Sequence, residues 1–380
     1  MPINDNLSLI KSVNRRDFVR LASFVAAAGA ALPFSERGAA QIALPKPHRV
    51  PPPGSVMLNL NENPMGPAPE ALDAIFASSK LGGRYQDVQH AALQHKFADV
   101  EGLKPEYIKC FPGTTETIIQ LALAFTSPDR PYVQGDPTFE VGGSAARAVG
   151  AKVIKVPLTS TYAHDVRGML AAATNAGLFY IATPNNPTGT PTPLDDIKWL
   201  VANKPKGSVV VIDEAYLHIQ RNPQPATSLV LADQDVFILR TFSKIYGMAG
   251  LRAGAAFARP DLLQKIAIYN APQLPAPGMA GAVASLSTPG LVEQRRKIII
   301  DIREDVFDFL SKHNTPFIPS DANHFMMDVK RPGQQVIDAL EDQDVFIGRV
   351  WPIWPTFVRV TVGTQDEMEK FKAAYLKVNT

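Results

Sequence analysis

Cysteine is nearly absent: Cys110 stands alone among 380 residues. That excludes an intrachain disulfide framework and any metal site built from several thiolates, and no metal is expected. Charge of one sign is missing too, with 38 Lys and Arg against 36 Asp and Glu, so nothing implies a nucleic-acid partner. No uninterrupted apolar run reaches the ~18 residues a membrane-spanning helix needs, so no stable membrane anchor is expected. Internal repeats are lacking as well. A chain that is 46% hydrophobic and 19% charged is too apolar for disorder, and it has room for one large domain or two ordinary ones with substantial cores.

The small charge excess is unevenly placed. Residues 1–40 hold five cations (Lys11, Arg15, Arg16, Arg20 and Arg37) and three anions (Asp5, Asp17 and Glu36), leaving 33 of each in residues 41–380. The run Asn14-Arg15-Arg16-Asp17-Phe18-Val19-Arg20 precedes an alanine-rich stretch from Leu21 to Leu32 that is too short to span a bilayer. This pattern resembles a twin-arginine (Tat) signal peptide, and small residues at Gly38 and Ala40 place cleavage after Ala40. It implies the twin-arginine export machinery as a partner and a periplasmic or secreted location. An amphipathic helix, with the protein left in the cytoplasm, is the alternative.

Beyond the leader, residues 41–67 read as an N-terminal arm: a proline-rich connector from Pro45 to Pro53, then the loop cluster Asn59-Leu60-Asn61-Glu62-Asn63-Pro64. From Ala68, helix-period stretches (Glu70 to Ser78, Gln89 to Val100, Glu116 to Thr126) alternate with short β-rich runs. These are Tyr107 to Phe111, Pro131 to Gln134, Lys152 to Val156, Leu178 to Ala182, Ser208 to Ile212 and Val236 to Leu239. Such alternation predicts an α/β large domain over 68–275, a mainly parallel sheet with helices on both faces. Residues 276–380 change pattern, with a long helix from Leu291 to His313, strands around His324 to Val329 and Phe357 to Val362, and a closing helix from Gln365. They read as a smaller α+β domain in which the two ends of the chain meet.

Three predicted strands end in polar groups: Thr183-Pro184-Asn185-Asn186-Pro187-Thr188-Gly189, Asp213-Glu214-Ala215-Tyr216, and Thr241-Phe242-Ser243-Lys244. Ligands of open parallel sheets bind beyond the carboxyl ends of the strands, so these groups are expected to converge. A carboxylate, an amide, a phenol and a lysine, with Arg252 eight residues past the lysine, are what pyridoxal phosphate requires. The lysine forms a Schiff base, the carboxylate keeps the pyridine nitrogen protonated, and the arginine and hydroxyls bind phosphate.

Taken together with Val358-Arg359-Val360-Thr361-Val362-Gly363-Thr364, these motifs resemble the fold-type I pyridoxal-phosphate aminotransferases, class I and II, nearest the histidinol-phosphate aminotransferase-like subfamily, from Leu58 to about Leu376. The resemblance implies the seven-stranded type of sheet. It makes Lys244 the Schiff-base and proton-moving lysine, Asp213 the partner of the pyridine nitrogen, and Asn186 and Tyr216 the hydrogen-bond partners of the cofactor's phenolic oxygen. Phosphate is assigned to Thr114 and Thr115 at a helix start, to Thr241, Ser243 and Arg252, and to Tyr85 reaching across a homodimer interface. Phe139 stacks on the ring. Arg359, helped by Asn186, holds the substrate carboxylate. Asn61 belongs to the arm that folds over the site or simply makes a turn, Arg349 lies toward the substrate side chain or on the surface, and Asn185 reads as a turn residue.

Between Arg349 and Arg359 the run Val350-Trp351-Pro352-Ile353-Trp354-Pro355-Thr356-Phe357 stands where the subfamily carries a longer, more polar loop. Its two indoles form either an apolar wall favouring an aromatic donor or a packing element of the small domain. The segment Ala271-Pro272-Gln273-Leu274-Pro275 also departs from the polar pattern. The activity implied is transfer of an amino group from a histidinol phosphate-like or aromatic donor to an oxo acid such as 2-oxoglutarate, in two half-reactions. A threonine-phosphate type decarboxylase and a non-catalytic binding protein are the alternatives.

Overall fold

The computed structural model describes residues 50–269 and 274–379. Residues 1–40, expected to be an export signal, and Ala271 to Gln273 fall outside them. A seven-stranded sheet runs in the order β2-β8-β7-β6-β5-β3-β4. Its strands are β2 (Ile108–Phe111), β3 (Tyr132–Asp136), β4 (Val153–Pro157), β5 (Leu178–Ala182), β6 (Val209–Asp213), β7 (Val236–Thr241) and β8 (Gly254–Phe257). Every residue of β5, β6 and β7 is buried, as befits central parallel strands covered on both faces. Apolar side chains divide accordingly, with Phe179, Ile181, Val210, Ile212 and Ile238 in one cluster and Leu178, Tyr180, Val209, Val211, Phe237 and Leu239 in another.

β8 departs from the parallel pattern, pairing antiparallel with both β2 and β7. The sequence reading missed this strand because Gly254-Ala255-Ala256-Phe257 has no β-branched residue and no alternation. At its first position no side chain fits: a Cβ at Gly254 would lie 2.7 Å from the Arg240 carbonyl oxygen.

Two smaller sheets complete the described chain. β1 (Val56–Leu58) pairs in parallel with β11 (Val345–Ile347), and β12 (Phe357–Thr361) and β9 (Phe317–Ile318) flank β10 (His324–Asp328) antiparallel. The arm and the C-terminal part therefore do meet. The helix Leu291–Lys312 crosses this region, and Gln365–Val378 closes it, started by a reciprocal cap in which Thr364 Oγ1 accepts from the Glu367 N–H at 3.2 Å and Glu367 Oε2 accepts from the Thr364 N–H at 2.7 Å. Among the described residues no helix is long and apolar enough to cross a membrane, and no acidic, His or Cys cluster could hold a metal.

Candidate active site

Parallel pairing aligns the ends of β5, β6 and β7, with Ala182 opposite Asp213 and Asp213 opposite Leu239. The residues just past those ends enter one cavity of about 310 Å³, lined by Asn186, Asp213, Tyr216, Thr241, Ser243, Lys244, Arg252, Thr114, Thr115, Phe139, Asn61 and Arg359. Twelve expected residues thus converge. Tyr85 does not: it is 84% exposed and lies outside the cavity of its own chain.

Asp213 forms the buried end. Its Oδ2 accepts from the Tyr180 hydroxyl at 2.8 Å and its Oδ1 from the Ala215 N–H at 3.1 Å, both neutral donors. Burial raises the carboxyl above its ordinary range, outweighing those two hydrogen bonds and the nearby Lys244. Lys244 Nζ donates to the Asn61 carbonyl at 2.8 Å. Burial first, then the Arg359 charge, hold the amine down to about 8, although Glu62 and Asp213 pull the other way.

Tyr216 accepts from Asn61 Nδ2 at 3.0 Å, and burial pushes its phenol up to about 12. The fully buried His324 sets its ring edge-on to Tyr216 at 4.7 Å, held neutral by burial and by Arg359 and Lys244.

An anion cup occupies another wall. Gly113, at φ +91° and ψ 175°, lets the chain turn sharply into the helix Thr114–Phe125, and Thr114 and Thr115 stand at that helix's positive end. Arg252, itself left-handed at φ +53°, lays its guanidinium over Gly113, with Nη1 donating to the Ala249 carbonyl at 2.9 Å. Thr241 Oγ1 donates to Ser243 Oγ at 2.9 Å. Arg252 Nη2 also donates to Glu116 Oε2 at 3.5 Å, an ion pair at the cup's more exposed edge.

Arg359 is buried on β12, with Nη1 donating to Asn186 Oδ1 at 2.7 Å and Nη2 to the Asn59 carbonyl at 2.6 Å. Its Nε, also buried, has no partner. Among the described residues no carboxylate pairs with this charge, which is the arrangement expected of a carboxylate-binding arginine. Trp351 packs beneath it, its ring 5.4 Å from Arg359 Cζ and 4.4 Å from Arg349 Cζ.

The structure chooses between the readings that the sequence left open. Trp351 is buried with Ile318 and Met326, and Trp354 packs against Tyr162 and Phe357, so the two indoles are packing elements and not a cavity wall. Asn185 is the expected turn residue, its carbonyl accepting from the Gly189 N–H at 2.7 Å. Fully buried, it accepts from Thr138 Oγ1 at 2.7 Å and donates to the Pro137 carbonyl and Thr188 Oγ1, each at 3.1 Å. Arg349 is exposed but ion-paired with Glu140. Tyr180, Glu62 and His324 were missed. Tyr180 sits inside the apolar run Leu178–Ala182, and its tyrosine type was the one available signal.

A lysine, a buried carboxylate, an anion cup at a helix start and an unsatisfied arginine, all at the carboxyl edge of a parallel sheet, define an α/β protein built for amino-group chemistry on an anionic ligand. The model of the family "Aminotransferase class I and II" matches residues 54–374, and the chain belongs to that family. It is 32% identical to a histidinol-phosphate aminotransferase of Symbiobacterium thermophilum over 84% of this chain and 89% of the relative. It is 31% identical to an aromatic amino acid aminotransferase of Rhodococcus jostii over the same shares. The crystal structure of histidinol-phosphate aminotransferase from Sinorhizobium meliloti in complex with pyridoxal-5'-phosphate superposes with a TM-score of 0.77 at 25% identity, covering 85% of this chain and 90% of that one. The fold class read from the sequence, α/β of the fold-type I kind, therefore stands.

Proposed function

We propose that the protein is a pyridoxal-phosphate-dependent aminotransferase working at the Lys244 cavity, on an amino donor with an aromatic or other apolar side chain and an oxo-acid acceptor. The observation that carries the reading is Asp213. A buried carboxylate with only neutral donors wants a cationic N–H, and Lys244 and the anion cup lie in the same cavity, as one ring bearing a nitrogen, an aldehyde and a phosphate requires. Gly113 supports the fit, since a Cβ there would lie 2.4 Å from Arg252 Nη2 and displace the cup's only arginine.

Pyridoxal phosphate, when bound, supplies the aldehyde that takes up the amino group and the electron-poor ring that accepts the electron pair left on the α-carbon. The chain does the rest. Lys244, its amine held near 8, would hold the aldehyde carbon of the cofactor and, when free, would take the proton from the donor's α-carbon. Asp213, itself held by Tyr180 and Ala215, would hold the ring nitrogen's proton. Tyr216 and Asn186 would bond the ring hydroxyl. Thr114, Thr115, Thr241, Ser243 and Arg252 would take the phosphate, Phe139 would pack against the ring, and Arg359 would orient the donor's carboxylate.

The donor class rests on a recess of about 410 Å³ that shares Phe139 with the cavity and is lined by Ile119, Val141, Ala145, Glu140 and Arg349. Its surface is mostly apolar, and its one arginine is already paired with Glu140. Histidinol phosphate is the second reading, favoured by the relatives' printed names; it requires Arg349 to leave Glu140. Purified holoprotein mixed with single amino donors should lose the visible absorbance of the lysine-bound cofactor and release one oxo product per site. Retention of that absorbance and of turnover by Lys244→Ala would sink the mechanism, and carbon dioxide release without an oxo product would favour a decarboxylase. A higher kcat/KM for histidinol phosphate than for phenylalanine would select the second donor.

Tyr85 acts in this proposal from a partner subunit of a homodimer on the other subunit's phosphate, as its exposure permits. Sedimentation of the wild type and cofactor titration of Tyr85→Ala test that. Residues 1–40 serve as a twin-arginine signal that delivers the enzyme to the periplasm or beyond. Recovery of an N-terminus at Gln41 outside the cytoplasm, lost when Arg15 and Arg16 become lysine, is the expected result.

A further inference from the structure

Directly behind the cavity lies a buried ionic cluster that the reaction does not use. Arg240 precedes Thr241 at the end of β7, and Glu214 follows Asp213 at the end of β6. Thr241 and Asp213 line the cofactor cavity, whereas Glu214 borders a separate cavity of about 270 Å³. Successive residues of a strand alternate between faces, so each of these cofactor-facing residues has its immediate chain neighbour in the cluster.

Arg240 Nε donates to Glu214 Oε2 at 2.8 Å, its Nη2 lies 2.6 Å from the same oxygen, and Nη1 donates to Glu101 Oε1 at 2.6 Å. Glu214 Oε1 accepts from the Ala226 N–H at 2.7 Å, and Glu101 Oε2 from Thr227 Oγ1 at 3.2 Å. The side chains of Arg240 and Glu214 are 4% and 1% exposed, and that of Glu101 is 11% exposed. One guanidinium thus ties the ends of β6 and β7 to the last residue of the helix Asp87–Glu101 and, through the carboxylates, to the segment entering Thr227–Leu231.

A buried ion pair is a poor way to gain stability, because desolvation cancels most of its attraction and apolar residues of similar size often serve as well. What such a cluster supplies is fixed geometry. Arginine's planar fork has the shape to meet two carboxylates in set directions, which lysine's point charge lacks. From this placement we infer that Arg240, Glu214 and Glu101 are positioning residues: they fix the spacing between Asp213 and the run Thr241 to Lys244, and so set how tightly the chain grips its cofactor. The inference rests on the cofactor reading of that cavity. Burial, with smaller contributions from Glu101 and Asp213, pushes the Glu214 carboxyl up to about 7 against the pull of Arg240, consistent with two carboxylates sharing one cation.

The test compares wild-type holoenzyme with Arg240→Lys, Glu101→Gln and the triple apolar variant E101M/E214M/R240M. Three quantities are read: the pyridoxal phosphate dissociation constant, the pH midpoint of the visible absorbance of lysine-bound cofactor, and the melting temperature of the cofactor-free protein. Arg240→Lys should raise the dissociation constant by about tenfold and move the midpoint, with little change in melting temperature. The triple variant should lose affinity while keeping its melting temperature. Wild-type affinity and midpoint in Arg240→Lys, with a lowered melting temperature, would reduce the cluster to a structural role and overturn the inference. Should Arg240→Lys not fold, Glu101→Gln, altered at the more accessible end, decides by the same two readouts. Absorbance that survives in Lys244→Ala indicts the cofactor reading itself, so the two failures remain distinguishable.

Discussion

Gly113→Ala probes the anion cup through a residue that offers no side chain. Gly113 holds φ +91° and ψ 175°, a region open essentially only to glycine, so alanine costs about 1–3 kcal/mol of folding stability through the backbone alone. The added Cβ also meets Arg252, 2.4 Å from Nη2, 3.0 Å from Cζ and 3.2 Å from Nη1. The guanidinium is the mobile end of its side chain and gives way more easily than the backbone, so Arg252 leaves the cup. A charge-assisted hydrogen bond lost to phosphate is worth about 1.5–3 kcal/mol, which is roughly a ten- to 150-fold rise in the cofactor's dissociation constant. Backbone strain common to free and bound protein lowers the melting temperature without weakening binding, so the two effects separate. Fluorescence titration of cofactor-free protein with pyridoxal phosphate measures the second. Because both substitutions act through one guanidinium, G113A/R252A should bind about as weakly as Arg252→Ala alone. Affinity of Gly113→Ala within about twofold of wild type, or full additivity in the double variant, would refute the placement of phosphate under Arg252.

Three further outcomes follow from the same site. Arg359→Met removes a positive charge beside Lys244, so protonation becomes easier and the amine's pKa rises from about 8 toward its ordinary 10.5; the pH profile of Lys244 acylation in cofactor-free protein, read by mass spectrometry, reports it, and an unchanged midpoint contradicts the coupling. Tyr180→Phe deprives Asp213 Oδ2 of its 2.8 Å donor, raises the carboxyl further and should weaken cofactor binding by about tenfold, measured by the same titration. Glu140→Gln frees Arg349 from an ion pair whose side chains are 54% and 35% exposed. Exposed pairs are worth at most about 1 kcal/mol, so kcat/KM for a donor with an anionic side chain should rise only about two- to fivefold relative to phenylalanine.

The cavity was legible from the sequence because its chemistry sits in short motifs just past strand ends, where topology alone brings them together. Lys244, Asp213, Tyr216 and Asn186 each follow a run whose β character is plain, and Arg252 was found by its spacing of eight residues from Lys244. Tyr180 was hidden for the opposite reason: it lies inside such a run, where a tyrosine reads as core, and only the alternation of β5 turns its hydroxyl toward Asp213. His324 and the partners of Arg240 depend on contacts between segments far apart in sequence, as with Glu101, 139 residues away. Helix and strand limits shifted by a residue or two, as at Leu291–Lys312, since end residues owe their state to packing and caps. For Trp351 and Trp354 the sequence left a wall and a packing element both open, because composition gives the kind of surface and not the side of the strand it faces; packing is what the structure shows.

Asn61 shows why turn-making and site-building are not rival roles for one residue. Its φ of +54° is left-handed, a conformation asparagine tolerates better than most residues, and this is the turn its loop composition suggested. That turn sends its carbonyl to Lys244 Nζ at 2.8 Å and Asn323 Nδ2 at 3.1 Å, while its amide donates to the Tyr216 hydroxyl at 3.0 Å. Its N–H donates to Thr361 Oγ1 at 2.9 Å, across 300 residues of chain and two positions past Arg359 on β12. In an extended conformation the carbonyl and the side-chain amide point in other directions, and these contacts cannot be made together. The backbone strain of one arm residue is therefore offset by hydrogen bonds to Lys244, Tyr216 and the strand that bears Arg359, which makes an ordered arm a condition of an ordered site.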